Sequence, residues 1–365
     1  MKIDLLAFTE NGFSLAETIR DRMQERPPVL ANASPRLTVS VSRCNVPLSL
    51  SEWTTQMFDQ SDALVYVGAA GIAVRAIAPF VKSKVTDPAV VVVDEGGSYA
   101  IPVLSGHLGG ANDLARAIAE RIGAEAVITT ATDVNHVFAI DEWTRKQGLV
   151  IRNPERIKTV SAALLAGETV HIATEWPIAG APPKGVEVEE LHRTLEGELR
   201  PAAFPPNIVL TNRRDAAKLF PEALIAVPKN IVLGAGCKRN VLPASFELLL
   251  TQLLGELDLL EESIDAVGSI DIKKDEPGLL AFCTVHDWPL ITFSAARLRE
   301  AEGEFTASFF VRNVTGVDNV CERSAVVLSG GVLIKEKTTG SEATMAAAER
   351  PLSLTWDCGP EGYDE

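Results

Sequence analysis

Two rhythms of apolar and polar positions divide this chain. Short, nearly unbroken apolar runs at 3–8, 37–42, 63–67, 89–94, 101–104 and 126–130 read as strands, the clearest being AVVVVD at 89–94. Between them, apolar residues recur at helical spacing over 14–25, 72–80 and 111–121. Pro27-Pro28 ends the first of these helices and Gly123 the third. Strands that alternate with helices and are apolar on both sides predict a parallel sheet covered on both faces. The expected fold class is α/β, with open, mostly parallel sheets and helices on both faces. An N-terminal Rossmann-like domain covers 1–137, and a smaller C-terminal α/β domain covers 226–345.

The other segments carry weaker patterns. Residues 138–225 form a less defined middle segment, interrupted by Pro177, Pro182, Pro183, Pro201, Pro205 and Pro206. Within it, 185–200 reads as a charged, solvated face, and 221–231 as a linker or turn. In the C-terminal domain, strands are expected at 230–233, 267–270, 289–293, 325–328 and 332–334. Helices are expected at 244–254 and after Pro277, with Asp275 as a possible cap. Residues 346–365 read as an acidic tail.

The strand ends matter most for function. TENG follows the first strand, GAAG the third, SGHLGG the fifth and TTATD the sixth. In open parallel sheets, ligands bind beyond the carboxyl ends of the strands. Glycine there permits close backbone approach, and helix N-termini offer free amides to an anion. All four loops are therefore expected at one binding edge.

Charge and composition narrow the class. Lys plus Arg number 34 and Asp plus Glu 49, a net charge of −15. That balance argues against nonspecific binding to nucleic acid or to anionic membranes. With 365 residues, 46% of them hydrophobic, the chain can build two or three packed domains. No apolar run approaches the ~18 residues needed to cross a bilayer. The opening MKIDLLAFTENG has Asp4 inside its apolar stretch and no cleavage signal, so a cytoplasmic location is expected. Five cysteines and five histidines are scattered, without CxxC or HExxH, so no protein-held metal is expected.

Several standard sites are excluded. GxxxxGK[ST] is absent. Gly234-Ala235-Gly236 follows a strand, but Arg239 stands at the third glycine of GxGxxG. Val103 occupies the position where a nucleophile elbow ending in Ser105 needs glycine. His107 lies between glycines before a helix, where imidazole either exchanges a proton near neutral pH or bonds the loop backbone. Glu10 is a candidate base or a cap. Ser105 is a turn hydroxyl or a ligand contact. Arg75 is a carboxylate clamp or a surface arginine. Asp133 and Asp94, like Glu10, are candidate bases or caps. Cys237, beside Lys238 and Arg239, is a small packing residue or a thiol of lowered pKa.

The runs YVGAAGIAVRAIAP at 66–79, TDPAVVVVDE at 86–95, LSGHLGGAN at 104–112 and ITTATD at 128–133 resemble the CbiG family. That family comprises the cobalt-precorrin-5A hydrolases of anaerobic cobalamin synthesis. GAGCKR at 234–239, DIKKDEPGLL at 271–280 and FFVRNVTGVDNVCERSA at 309–325 agree. The resemblance is dense over 60–145 and 230–340. It departs at Glu336, where the family has proline, and after about 350.

The resemblance implies that water opens the lactone of cobalt-precorrin-5A and that acetaldehyde leaves, giving cobalt-precorrin-5B. It implies no cofactor, because the cobalt is carried by the substrate. It also makes hand-over to neighbouring pathway enzymes a possibility, and leaves the oligomeric state open. Such a corrinoid is apolar in the middle and ringed with carboxylates. An acidic chain repels it at long range, so local cations and amides must hold it. The candidates for contact are Thr9, Gly68, Gly71, Arg75, Ser105, Gly106, Gly109, Gly110, Asn112, Thr130, Asp133, Lys238, Arg239 and Lys274, with Lys273 beside them. His107 or Glu10 is the expected base, and the Gly106–Gly110 amides are the expected oxyanion donors. The competing readings are a non-catalytic tetrapyrrole carrier and a nucleotide- or phosphate-binding enzyme.

Overall fold

The computed structural model describes residues 1–25, 37–83, 86–192, 199 and 204–356. The first sheet contains β1 (Lys2–Ala7), β2 (Thr38–Arg43), β3 (Ala63–Val67), β4 (Ala89–Val93), β5 (Tyr99–Leu104) and β6 (Glu125–Ala126). Their order is β2-β1-β3-β4-β5-β6. Its strands are apolar throughout because both faces are covered. Leu5, Ala7, Val65, Val67, Val91 and Val93 meet Ile19 and Met23 of helix Glu10–Glu25 and Leu114 and Ile118 of helix Ala111–Ile122. The alternate residues Leu6, Leu64, Tyr66, Val90 and Val92 meet Trp53 and Phe58 of helix Leu50–Phe58 and Ala73 and Ile77 of helix Ala70–Ile77. Each of the Val, Leu, Ile, Met and Phe side chains among them contributes roughly 1.5–3 kcal/mol by leaving water.

Strand direction overturns one expectation. β1, β2, β3 and β4 are mutually parallel, but β5 runs antiparallel to β4, and β6 is parallel to β5. SGHLGG and TTATD therefore leave the sheet at the edge opposite TENG and GAAG. Ser105 makes this explicit, because its hydroxyl donates to the Asp87 carbonyl just before β4 begins. The four loops do not share one binding edge.

The second sheet is built from the middle segment. It contains β7 (Leu149–Ile151), β8 (Val170–Thr174), β10 (Val186–Glu190), β11 (Ile208–Leu210) and β12 (Leu224–Pro228), ordered β10-β8-β11-β12-β7. Only β7, at one edge, is antiparallel to its neighbour. The expected linker at 221–231 is corrected here: Leu224–Pro228 is a wholly buried strand. Part of the charged 185–200 stretch forms the edge strand β10, with Glu187 and Glu190 in water, while 193–198 and 200 lie outside the described residues.

The third sheet contains β13 (Ile231–Cys237), β14 (Ile264–Ile270), β15 (Leu290–Phe293), β16 (Val332–Thr339) and β17 (Ala343–Glu349), ordered β15-β14-β13-β17-β16. β13, β14 and β15 are parallel, and β17 is antiparallel to β13. One face packs against helices Pro243–Glu256 and Pro277–Val285 through Leu233, Phe246, Leu253 and Phe282. The other face carries helix Cys321–Ser329.

That helix corrects the strand expected at 325–328. The Asn319 side chain accepts from the Glu322 amide at 2.9 Å and starts the helix, and Gly330, at φ 63°, ends it. Tertiary packing overrides the local preference of Val326 and Val327. Asp275 does not cap the helix after it. Glu276 is the N-cap residue, without a side-chain cap bond.

The expected acidic tail is also revised. Residues 346–349 complete β17, and β18 (Leu354–Thr355) pairs with β9 (Ile178–Ala179) of the middle segment. Trp356 stacks on Trp143 with ring centroids 5.0 Å apart, and Trp143 Nε1 donates to the Thr355 carbonyl. Residues 357–365 lie outside the described residues.

Candidate functional site

The candidate residues fall into three separate places. The first is the carboxyl edge of β1 and β3, where the strand order reverses. Thr9 Oγ1 donates to Glu95 at 2.6 Å and accepts from the Gly12 amide. Glu10 forms an ion pair with Arg43, so its carboxylate already has a cation. Gly68 sits over the Phe8 ring, and Gly71 opens onto free space. Arg75 is exposed on helix Ala70–Ile77.

The second place is the opposite edge, where the LSGHLGGAN loop meets the middle segment. Ser105 adopts φ 55°, and a Cβ at Gly109 would lie 2.4 Å from the Ser105 Cβ, so the tight turn requires glycine there. His107 Nε2 lies 2.8 Å from Asp133 Oδ2, and Nδ1 lies 3.2 Å from Asp141 Oδ1. Burial disfavours the charged ring, but the two carboxylates outweigh it and raise its pKa to about 10. Burial acts against the charge on Asp133 too, yet His107 and Arg116 hold it down at about 2.

Around this pair, Asn112 bonds both Thr130 and Asp133. Arg145 Nε, from helix Ile140–Lys146, donates to the His107 carbonyl at 2.9 Å, and the same arginine pairs with Asp113. This network joins the first sheet to the middle segment.

Both ring nitrogens of His107, the expected base, face carboxylates, which favour the protonated ring. Of the Gly106–Gly110 amides, that of Gly110 bonds the His107 carbonyl, and just beyond them Ala111 N bonds Ser105 O and Asn112 N bonds Gly106 O. His107, Asp133 and Glu142 lie close enough to hold a cation. Arg116 and Lys146 already neutralise the two carboxylates, at 2.6 and 2.7 Å. The donor set is filled by side-chain charge.

The third place is a cleft of about 920 Å³ at the carboxyl edge of β13 and β14, closed by the β16–β17 turn. Such edges bind ligands in open α/β sheets, and the volume suits a large small molecule. Ile270, Ile272, Phe310, Val311 and Val314 give it an apolar wall. Phe310 and Val314, on helix Phe309–Thr315, are 76% and 62% exposed, an uncovered surface beside the opening.

Lys238, Arg239 and Lys337 line the same cleft. Lys238 Nζ donates to the Ser341 carbonyl, and none of the three has a carboxylate partner recorded among the described residues. Cys237 lies between them, where burial pushes its thiol to about 11. It is protonated at neutral pH and is not a thiolate nucleophile.

The structure thus brings Lys238 and Arg239 together as expected, and places Lys274 on the surface just outside the cleft lining. It adds Lys337 and Phe310, which sequence reasoning missed. A register shift between Lys335 and Thr338 separates their roles: Lys335 pairs with Glu256, while Lys337 enters the cleft. A plain alternation of faces does not reveal that. The paired aromatics Phe309-Phe310 in a charged region were the available signal for the wall.

Comparison with known proteins now bears on this arrangement. Three family models match in succession: Cobalamin synthesis G N-terminal over 52–133, Cobalamin biosynthesis central region over 138–228, and Cobalamin synthesis G C-terminus over 231–348. The chain is 38% identical over 291 residues to the cobalt-precorrin-5A hydrolase of Salmonella typhimurium, covering 77% of this chain and 80% of that one. It is 32% identical over 296 residues to the cobalt-precorrin-5A hydrolase of Priestia megaterium, covering 77% of each. A solved structure from Sulfolobus solfataricus, described as a cobalamin biosynthesis protein G homolog, is 22% identical, with a TM-score of 0.41 over 96% of this chain and 97% of that one. The matches run through all three sheets, and the chain belongs to the CbiG family.

Proposed function

We propose that this protein hydrolyses the lactone of cobalt-precorrin-5A and releases acetaldehyde, and that it does so in the cleft on the third sheet. The observation that carries the reaction is identity above 30% to two curated cobalt-precorrin-5A hydrolases across most of their lengths. What supports the location is the pairing of an apolar wall with cations that have no carboxylate partner among the described residues, the chemistry that a carboxylate-rimmed macrocycle requires. The edges at Thr9 and His107 offer carboxylates already engaged by Arg43, Arg116 and His107.

In this reading the ring face lies on Phe310, Val311, Val314 and Ile272. Lys238 and Arg239 receive peripheral carboxylates, with Arg239 able to grip one through two bonds. Asp275 and Glu342 line the cleft with no side-chain partner recorded among the described residues, and one of them takes a proton from water. The water oxygen adds to the lactone carbonyl, and Lys337 stabilises the resulting oxyanion. Collapse breaks the ester C–O bond, leaving a carboxylate and an alcohol. The alcohol loses its proton, the C–C bond to the ring breaks, and the ring carbon takes up a proton as acetaldehyde departs. One water is consumed, and no redox partner is needed. The cobalt remains part of the substrate.

The test is to incubate the chain with cobalt-precorrin-5A and to measure acetaldehyde and the mass of the corrinoid product. Release of one acetaldehyde per corrinoid is expected. Lys337→Ala is expected to lower kcat by about a hundredfold, the scale of removing one oxyanion contact. A corrinoid that binds but is returned unchanged contradicts the hydrolase reading and favours a carrier. Unchanged kcat in the variant removes Lys337 from the chemistry.

A further inference from the structure

The loop after β13 is held more firmly than a surface turn requires. Asn240 adopts φ 58°, a left-handed conformation that side chains other than glycine enter at a cost. Three residues, Lys273, Glu276 and Gly278, enforce it. Lys273 Nζ donates to the Lys238 carbonyl at 3.0 Å and to Glu276 Oε2 at 3.0 Å. The other oxygen of Glu276 accepts from the Val241 amide at 3.3 Å, and the Asn240 amide also bonds this carboxylate. Gly278 brings helix Pro277–Val285 directly onto the loop, since a Cβ there would lie 1.9 Å from the Val241 carbonyl oxygen.

The Lys273–Glu276 pair itself is buried, with side chains 11% and 7% exposed. A buried ion pair is a costly way to hold a fold together, and apolar replacements of similar volume are often neutral or stabilising. Its retention beneath a strained loop calls for another reason. The loop it braces carries Lys238 and Arg239, the two cations at the cleft mouth.

We propose that Lys273 and Glu276 are positioning residues that fix the Lys238–Asn240 loop, so that Lys238 and Arg239 meet the carboxylates of the substrate already oriented. The inference rests on the proposed cleft and deepens it. Preorganised cations bind without first losing rotamer and loop freedom, so the brace acts on affinity rather than on the chemical step.

The test combines Lys273→Met with Glu276→Leu in the full chain, and reads the melting temperature, KM and kcat of acetaldehyde release. The expected result is a melting temperature within a few degrees of the parent, KM raised about tenfold and kcat within about threefold. Arg239→Ala alone is expected to raise KM similarly. Adding the double substitution to it should raise KM by clearly less than the product of the two effects, because part of the brace acts through Arg239 and only the part through Lys238 remains. Asn240→Gly keeps the φ but frees the loop, and is expected to raise KM while the fold is retained; it decides the matter if the double variant does not fold. Unchanged KM in the folded variants, or effects that multiply fully with Arg239→Ala, would overturn the proposal. The dissociation constant of cobyrinic acid, titrated by absorbance on the same variants, tests the brace even where no acetaldehyde forms, so its failure is separable from failure of the hydrolase reading.

Discussion

Gly234→Ala is expected to destabilise the third sheet by at least ~3 kcal/mol, a large share of the ~5–15 kcal/mol by which a folded protein is stable. A Cβ on Gly234 would lie 1.8 Å from the Cys321 carbonyl oxygen and 2.8 Å from the Ala325 amide nitrogen. Both are backbone atoms of helix Cys321–Ser329, so no side chain can swing aside. Gly268 on the neighbouring strand faces the same helix, 2.9 Å from the Ser324 carbonyl oxygen by the same construction. These glycines form the seat of a helix, not a phosphate loop. Thermal or urea unfolding followed by tryptophan fluorescence checks this, with Gly71→Ala as control. Gly71 is helical and has open space around its missing Cβ, so its substitution should be neutral or slightly stabilising. A Gly234→Ala protein as stable as the parent would show that the helix packs elsewhere.

His107→Ala is expected to loosen the junction between the first sheet and the middle segment, by on the order of 3 kcal/mol, while leaving KM and kcat per folded molecule near the parent values. The substitution leaves the Asp133 and Asp141 carboxylates without the imidazolium between them, although Arg116 still bonds Asp133. The pH dependence has a definite sign. A histidine whose folded pKa is about 10, against an unfolded value near 6.5, stabilises fully below pH ~6.5. That contribution fades as pH rises toward 10. Asp133, held at about 2, stabilises above pH ~4 and loses its contribution as pH falls toward 2. The difference in melting temperature between parent and variant should therefore be widest between pH ~4 and ~6.5 and should narrow by pH 10. Full stability with abolished turnover would return His107 to the catalytic machinery.

How far the sequence reveals this molecule depends on which physical property a residue run encodes. Val90 to Val93 announce a strand buried on both faces, because nothing else accommodates four successive valines in a short run between turns. The direction of β5 was legible too, in a signal that the strand-by-strand reading passed over. Only Asp94–Ser98 separates β4 from β5, and a parallel crossover needs a dozen or more residues. Asp94 instead ties a hairpin, its carboxylate accepting from the Gly96, Ser98 and Tyr99 amides. Counting that connection separates SGHLGG from TENG and GAAG without a structure.

Other features were not legible. Residues 325–328 form part of a helix because Gly234 and Gly268, 91 and 57 residues earlier than Ala325, leave room for it. LSGHLGGAN is distinctive as a motif, yet the helix it contacts, Ile140–Lys146, is a partner that no local pattern names. Lys238 and Arg239 were legible as candidates because a charged turn after a parallel strand is a local signal. Lys337 was missed because a bulge, not the sequence alternation, aims it.

The most direct test of the account is the crystal structure of the chain bound to cobyrinic acid, whose cobalt marks the macrocycle by anomalous scattering. The account predicts a cobalt peak over the wall formed by Phe310 and Val314, with ring carboxylates on Lys238 and Arg239. A peak beside Thr9 and Gly68, or against His107, would contradict it.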